Sequence, residues 1–306
     1  MEGASRDGSE MFNSLPEDCI SHIFSLTSPR DACCFAALSR HSRSLADSDL
    51  VWVQFIPSKY EITLSRAVTP VHFSSKKDLF FRLCVPIIID DGENSFAMDE
   101  STGKQNYMIS SKVVTPIQYP HHYITLPESR FPNVLVVKDC HEEFSNEVLL
   151  FYNTMLKCVE LSEKTTYVVH LIYKLDFETL SRDRQYAYLG SSKLAFSDDA
   201  VFNFSCLISK EDSLKIYSDG DHEFLRNYIR MESSSYFAKE REGCGQWMEV
   251  ALGEFFNEIV AGKEEVLFLD FTYYMLTSCS LIIEGIEFRV KESNSVDGSC
   301  HGGVLQ

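Results

Sequence analysis

Several side chains in the sequence are of types that ligate metals or move protons. Cys19 and His22 lie three apart in a helical stretch, His121 and His122 are adjacent, and Asp219-Gly220-Asp221-His222-Glu223 forms an acidic run. A structural zinc site needs four converging ligands with deprotonated thiolates, and no second pair stands at suitable spacing. Cys19 is therefore expected as a small buried hydrophobe. The acidic run lacks the full ladder of oxygen ligands of a calcium loop and reads as a solvated turn. Carboxylates are plentiful, 45 Asp and Glu in 306 residues. A glycosidase needs two of them at a set separation in space, which their number alone does not supply. No GxSxG, GxxxxGK[ST] or GxGxxG occurs, so the motifs for a strained nucleophile, a phosphate cradle and a dinucleotide turn are missing. The reading is a non-catalytic protein with no metal and no cofactor.

The elements that must position these residues fall into two textures. Residues 1–11 read as a polar tail and residues 12–57 as helical. Pro16 stands at an early helical position with Glu17 and Asp18 in the first turn, favourable to the helix dipole. Ile20, Ile23 and Phe24 follow at helical spacing. Thr27-Ser28-Pro29 breaks the pattern, and Ser28 is expected to cap a second helix on which Cys33, Ala36 and Ala37 share a face. Ser39 is expected to cap a third, through His41 to Leu45, with Trp52 and Phe55 closing the segment. About 45 residues with neither disulfide nor metal bury too little to be stable alone. Residues 58–92 form a connector. It carries one helix after Ser74-Ser75, with Leu79, Phe80 and Leu83 as its apolar face.

From Ser95 the pattern changes to strands. Ser95–Met98 and Gln105–Ile109 flank the turn Asp99–Gly103 as a hairpin. Further strands are predicted at 134–137, 148–152, 167–175, 201–207, 247–252, 266–271 and 281–290. Their spacing suggests an antiparallel β-sandwich or jelly roll over residues 93–291, with a flexible tail at 292–306. The fold class is α+β in two domains. Trp247 is expected in sandwich packing, and Arg130 is expected to pair with Glu128 or a backbone carbonyl.

Net charge is −17, which repels phosphate backbones and argues against nucleic acid. The longest apolar stretch, Leu79 to Ile89, contains Arg82 and Pro86 and is too short to span a bilayer. The first residues carry no apolar run of signal-peptide type. The ten cysteines are scattered without a CxxC pair. Free thiols and a cytoplasmic or nuclear location are expected.

Leu15-Pro16-Glu17-Asp18, with Ile20, Ile23 and Leu26, then Pro29-Arg30-Asp31, Leu38-Ser39-Arg40, Ser44-Leu45 and Trp52, resembles the F-box. That resemblance implies docking to a Skp-type adaptor of a cullin ubiquitin ligase. The docking set would be Leu15, Pro16, Ile20, Ile23, Leu26, Leu38 and Trp52, some facing the adaptor and some forming the small core. The other reading of these residues is a simple helical bundle core.

The later words resemble the plant phloem-protein-two-like lectin domain. They are Ser101-Thr102-Gly103-Lys104, Tyr107-Met108-Ile109-Ser110, Leu126-Pro127-Glu128-Ser129-Arg130-Phe131, Trp247-Met248-Glu249-Val250, Leu252-Gly253-Glu254-Phe255-Phe256-Asn257 and Glu284-Gly285-Ile286-Glu287-Phe288. The family implies a lectin-like β-sandwich and, in some members, binding of N-acetylglucosamine-containing or high-mannose glycans. The stretch Ile117–Tyr123 lacks the tryptophans common there. Tyr119 and Tyr123 are then the rings on which a sugar would stack. Together the two resemblances imply a ligase subunit whose β-domain binds a target, protein or glycoprotein. The alternative is a stand-alone carbohydrate-binding protein without ligase association.

Overall fold

A computed structural model describes residues 15–16, 19–20, 22–23, 26–116, 121–137, 148–176, 189–196, 199–206, 235–241, 246–258, 266–275 and 280–291. The acidic run 219–223 and both tails lie outside them.

In the N-terminal part Cys19, Ile20, His22 and Ile23 are helical. Helix α1 (Pro29–Ala36) starts where its cap dictates. Ser28 Oγ accepts from the Asp31 N–H at 3.2 Å, and the Asp31 carboxylate accepts from the Ser28 N–H at 3.1 Å. This reciprocal box satisfies two donors that the helix leaves free, and Pro29 has no N–H to lose. Helix α2 (Arg40–Ala46) is capped by Ser39, which accepts from Ser42 N–H at 2.9 Å. Helix α3 (Asp49–Trp52) follows Ser48, and α4 is Tyr60–Ser65. Helix α5 (Lys76–Cys84) is capped by Ser75 and buries Leu79, Phe80 and Leu83, the face its sequence predicts.

Two details differ from the sequence reading. The buried face of α1 is Pro29 and Ala32 with Phe35 packed beside them, while Cys33 is exposed. Pro29 and Phe35 carry more apolar area than Cys33 or Ala37, so they win the inner side. Cys19 is also exposed, because its neighbour Ile20 takes the interior position.

The β-part is two sheets. The first runs β1 (Ile87–Ile89), β2 (Asn94–Met98), β3 (Gln105–Ser110), β15 (Ser280–Val290), β8 (Thr165–Asp176), β13 (Met248–Asn257) and β12 (Lys239–Glu240). Strand β6 (Val134–Val137) also pairs with β15 and carries β5 (His121–Ile124). The second sheet runs β11 (Ser235–Phe237), β10 (Asp199–Cys206), β9 (Leu189–Phe196), β14 (Val266–Met275), β7 (Val148–Lys157) and β4 (Thr115–Pro116). All described pairs are antiparallel except β10 with β11. The hairpin β2–β3 pairs Met98 with Gln105 across the predicted turn.

The sheets pack face to face. Alternate residues of β8, β13 and β15, such as Leu171, Leu252 and Phe288, meet Leu194, Leu267, Leu269 and Phe271 from the second sheet. Two irregularities in register, at Ala251/Gly253 and Ile283/Gly285, bend the central strands. Gly285 lies so close to β3 that a Cβ there would stand 2.1 Å from the Ile109 carbonyl oxygen.

The same core continues into the helices. Trp52 lies with ring centroids 5.7, 5.1 and 5.4 Å from Phe55, Phe80 and Phe81, and its Nε1 donates to the Ala46 carbonyl at 2.5 Å. Ile20, Ala32, Val51, Trp52, Leu79 and Phe80 belong to one contiguous apolar cluster with Phe96, Met98 and the sandwich interior. The connector therefore builds structure: α4, α5 and β1 all fall in it. Its Arg66 guanidinium donates to Asp90 at 2.7 and 2.8 Å and to Glu160 at 2.9 and 3.0 Å. No helix among the described residues is long and apolar enough to cross a membrane.

Candidate functional site

Two surfaces gather the residues singled out by the sequence. The first is helical. Ile20 and Trp52 are buried inside, whereas Leu26 and Leu38 are 77% and 75% exposed, and Leu15 and Ile23 are 38% and 37% exposed. Pro16 is exposed and its carbonyl accepts from the Cys19 and Ile20 N–H groups, opening the first turn. Leu50 and Val53 are exposed as well. Neither was singled out in the sequence; the signal available was their i, i+3 spacing along α3 and its C-cap, beside buried Val51 and Trp52. Short helices of this kind cannot hide every apolar side chain, and several leucines of this unit stay exposed.

The second surface lies on the outer face of the first sheet. There Trp247 is buried, but against Met108, Phe131, Val134, Val136, Ile172 and Ile282 and not in the sandwich interior. Lys174 Nζ sits 4.7 Å from the centre of the Trp247 ring, a favourable cation–π distance. Next to this cluster stands an ionic one. Glu287 receives Arg130 at 3.1 Å, Arg241 at 3.0 Å and Arg289. Glu249 receives Arg289 at 2.7 Å and Lys239 at 3.0 Å. Arg130 thus pairs with Glu287 and not with Glu128, whose carboxylate takes Lys174. The bend at residues 126–131 turns Arg130 toward the sheet: Glu284 accepts from Ser129 Oγ at 3.0 Å and from the Arg130 N–H at 2.5 Å.

Burial by itself raises the Glu287 carboxyl, but Arg130, Arg289 and Arg241 pull it down to about 2. Glu249 follows the same pattern, drawn from its buried position to about 2 by Arg289 and Lys239. His170 faces Glu287 across β8–β15 and is buried; burial and the nearby Arg289 push its imidazole down to about 4, so it is neutral at pH 7. Sequence reasoning missed His170, Arg241 and Arg289: His170 and Arg241 meet Glu287 from other parts of the chain, and Arg289 also reaches Glu249 on β13. Alternation along β15 put Glu287 and Arg289 on one face and was the signal available.

Of the two tyrosines, Tyr123 is exposed on β5 with its ring edge-on to His121, and Tyr119 lies outside the described residues. Among the described residues no three His, Cys, Asp or Glu side chains come together as metal ligands.

Comparison with known proteins meets this geometry at both surfaces. A family model for the F-box domain matches residues 12–54, and one for phloem protein 2 matches residues 104–290. The chain belongs to the F-box proteins of the phloem protein 2 type. It is 33% identical over 292 residues to F-box protein PP2-B10 of Arabidopsis thaliana, covering 92% of this chain and 94% of that one. F-box protein At2g02240 of the same plant is 35% identical, over 94% of this chain and 82% of its own. F-box protein SKIP3, also from Arabidopsis thaliana, is 31% identical, over 92% and 89%. In this F-box protein the exposed leucines fall within the F-box match, and the ionic cluster falls within the phloem protein 2 match.

Proposed function

We propose that this protein is the substrate-recognition subunit of a Skp–cullin–F-box ubiquitin ligase, acting in the cytoplasm or nucleus. The helical half docks a Skp-type adaptor, and the β-half holds the target, a protein or glycoprotein. The observation that carries the reading is the split within the F-box match. Ile20 and Trp52 build the interior, while Leu15, Ile23, Leu26 and Leu38 remain outside and available. Interfaces concentrate their energy in a few apolar anchors of this kind. The F-box protein itself brings no catalytic group; the ligase's other subunits transfer ubiquitin. For a glycosylated target, Tyr123 is the exposed ring that a sugar could stack on.

The test is coexpression with a plant Skp-type adaptor followed by size exclusion. A one-to-one complex is expected, lost in the double variant Leu26→Ala, Leu38→Ala while the far-ultraviolet circular dichroism is unchanged. A folded wild-type protein that ignores several adaptors would overturn the ligase reading and direct attention to a glycan array.

A further inference from the structure

The turn between β2 and β3 lies between the two matched segments, reaching the second only at Lys104, and it touches both halves. Asp99 organises it. Its Oδ1 accepts from Ser101 Oγ at 2.6 Å, Thr102 N–H at 2.8 Å and Thr102 Oγ1 at 2.7 Å. Its backbone closes the loop, donating to the Lys104 carbonyl at 2.7 Å and accepting from the Gly103 N–H at 2.8 Å. The turn is then anchored into the β-half: Lys104 Nζ donates to Thr165 Oγ1 at 2.6 Å, and the Gln105 N–H donates to Ser162 Oγ at 2.9 Å. Five short hydrogen bonds within six residues leave it little freedom.

The opposite side of this turn faces the helices. Gly103 has φ +70°, and a Cβ there would stand 3.3 Å from the Phe55 carbonyl oxygen, 3.5 Å from Pro29 Cγ and 3.7 Å from Phe80 Cε2. Those three atoms belong to the turn after α3, the start of α1 and the middle of α5. The left-handed backbone favours glycine, and a Cβ would be tight against the Phe55 carbonyl oxygen and in contact with Pro29 and Phe80. Met98, the residue before the turn, shares the apolar cluster with Trp52 and Phe80.

We infer that the turn Asp99–Lys104 is a positioning element for the helical docking face: α1, α3 and α5 keep their mutual arrangement because they are seated on Gly103. The seating is a property of the free chain. Its bearing on adaptor binding rests on the docking proposed above. The helical unit is too small to stabilise itself, so a support from the β-half completes it.

The variant Gly103→Asn separates the effects, because asparagine tolerates left-handed φ while it adds a Cβ tight against the Phe55 carbonyl oxygen and further side-chain atoms beside Pro29 and Phe80. Gly92→Asn is the control. Gly92 also has positive φ, +86°, but a Cβ there meets only Pro132, at 3.5 Å. Hydrogen exchange of the full chain, without adaptor, is the first readout. In Gly103→Asn, amide protection at Ala32, Val51, Trp52 and Phe55 is expected to fall by about tenfold or more, as local opening becomes easier. Protection at Phe96, Tyr107 and 281–290 stays as in wild type, and Gly92→Asn leaves the helices protected. Unchanged protection of the helices in Gly103→Asn, or equal loss in both variants, overturns the inference. Adaptor affinity is the second readout, expected to drop in proportion to the fraction of molecules that keep the docking arrangement. A wild-type protein that binds no adaptor, with the exchange result as expected, overturns the docking reading and leaves the seating intact.

Discussion

Arg130 and Arg241 meet on the same carboxylate oxygen, Oε1 of Glu287, at 3.1 and 3.0 Å. One comes from the bend before β6 and the other from the end of β12, so a single acidic side chain fastens two distant segments onto β15. Removing that charge takes the carboxylate from Arg130 and Arg241 and leaves Arg289 with Glu249 alone. Glu287→Gln is expected to destabilise the protein by about 3–5 kcal/mol, the usual cost of breaking a buried pair from one side. Urea unfolding checks it, and a loss below about 1 kcal/mol would show that water screens the cluster.

His170 gives the fold a dependence on pH. Its folded value is about 4 against an ordinary 6.5. With the folded value depressed, the unfolded chain binds the proton first, so stability is full above pH 6.5 and falls as pH drops toward 4. The whole loss is about 3 kcal/mol from this group. Glu249 and Glu287 act lower: their stabilisation is present above 4.5 and is lost as pH falls toward 2. His170→Leu is expected to flatten the slope of unfolding free energy between pH 6.5 and 4.5, measured by urea titration at several pH values, while leaving the loss below 4.5.

Trp52 and Leu38 should behave in opposite ways. Trp52→Ala empties the centre of the helical unit and is expected to cost about 3–5 kcal/mol. Leu38→Ala, on an exposed side chain, is expected to change stability by less than about 0.5 kcal/mol. A calorimetric scan of the two variants separates packing from docking. Equal destabilisation would mean that Leu38 is covered within the protein.

Gly285→Ala tests the close approach of β15 to β3. Its Cβ would fall 2.1 Å from a backbone oxygen of β3. The expected cost is about 3 kcal/mol, the upper end for overpacking, read as a lower midpoint in denaturant. The same change at Gly92, beside a proline ring edge, should cost less, although its φ is positive.

Much of this architecture is legible in the residues. Ser28, Ser39 and Ser75 announce three helix starts because caps are local chemistry, read from neighbours in sequence. The hairpin around Asp99–Gly103 and the strand at Val134–Val137 are equally local. Strand β9 is not: Leu189-Gly190-Ser191-Ser192 has the composition of a turn, and it becomes a strand because β10 and β14 pair with it on both sides. The partner of Arg130 is illegible for the same reason. Glu128 is its neighbour in sequence, but Glu284 turns the bend so that the guanidinium reaches Glu287. The F-box motif marks Ile20, Leu26, Leu38 and Trp52 alike, and only burial separates Ile20 and Trp52 from Leu26 and Leu38.

The chain has two tryptophans, one in each half, and both are buried. Each also carries a lysine ammonium over its ring, Lys77 at 5.4 Å from Trp52 and Lys174 at 4.7 Å from Trp247. The protein thus contains its own pair of fluorescent reporters, one for the helices and one for the outer face of the sheet. Each can be isolated by a Trp→Phe change in the other. Because the sheet that bears Trp247 also backs the core holding Trp52, the two emission signals should lose their native spectra at one temperature. If Trp52 changes first, the two halves melt as separate bodies despite the core they share.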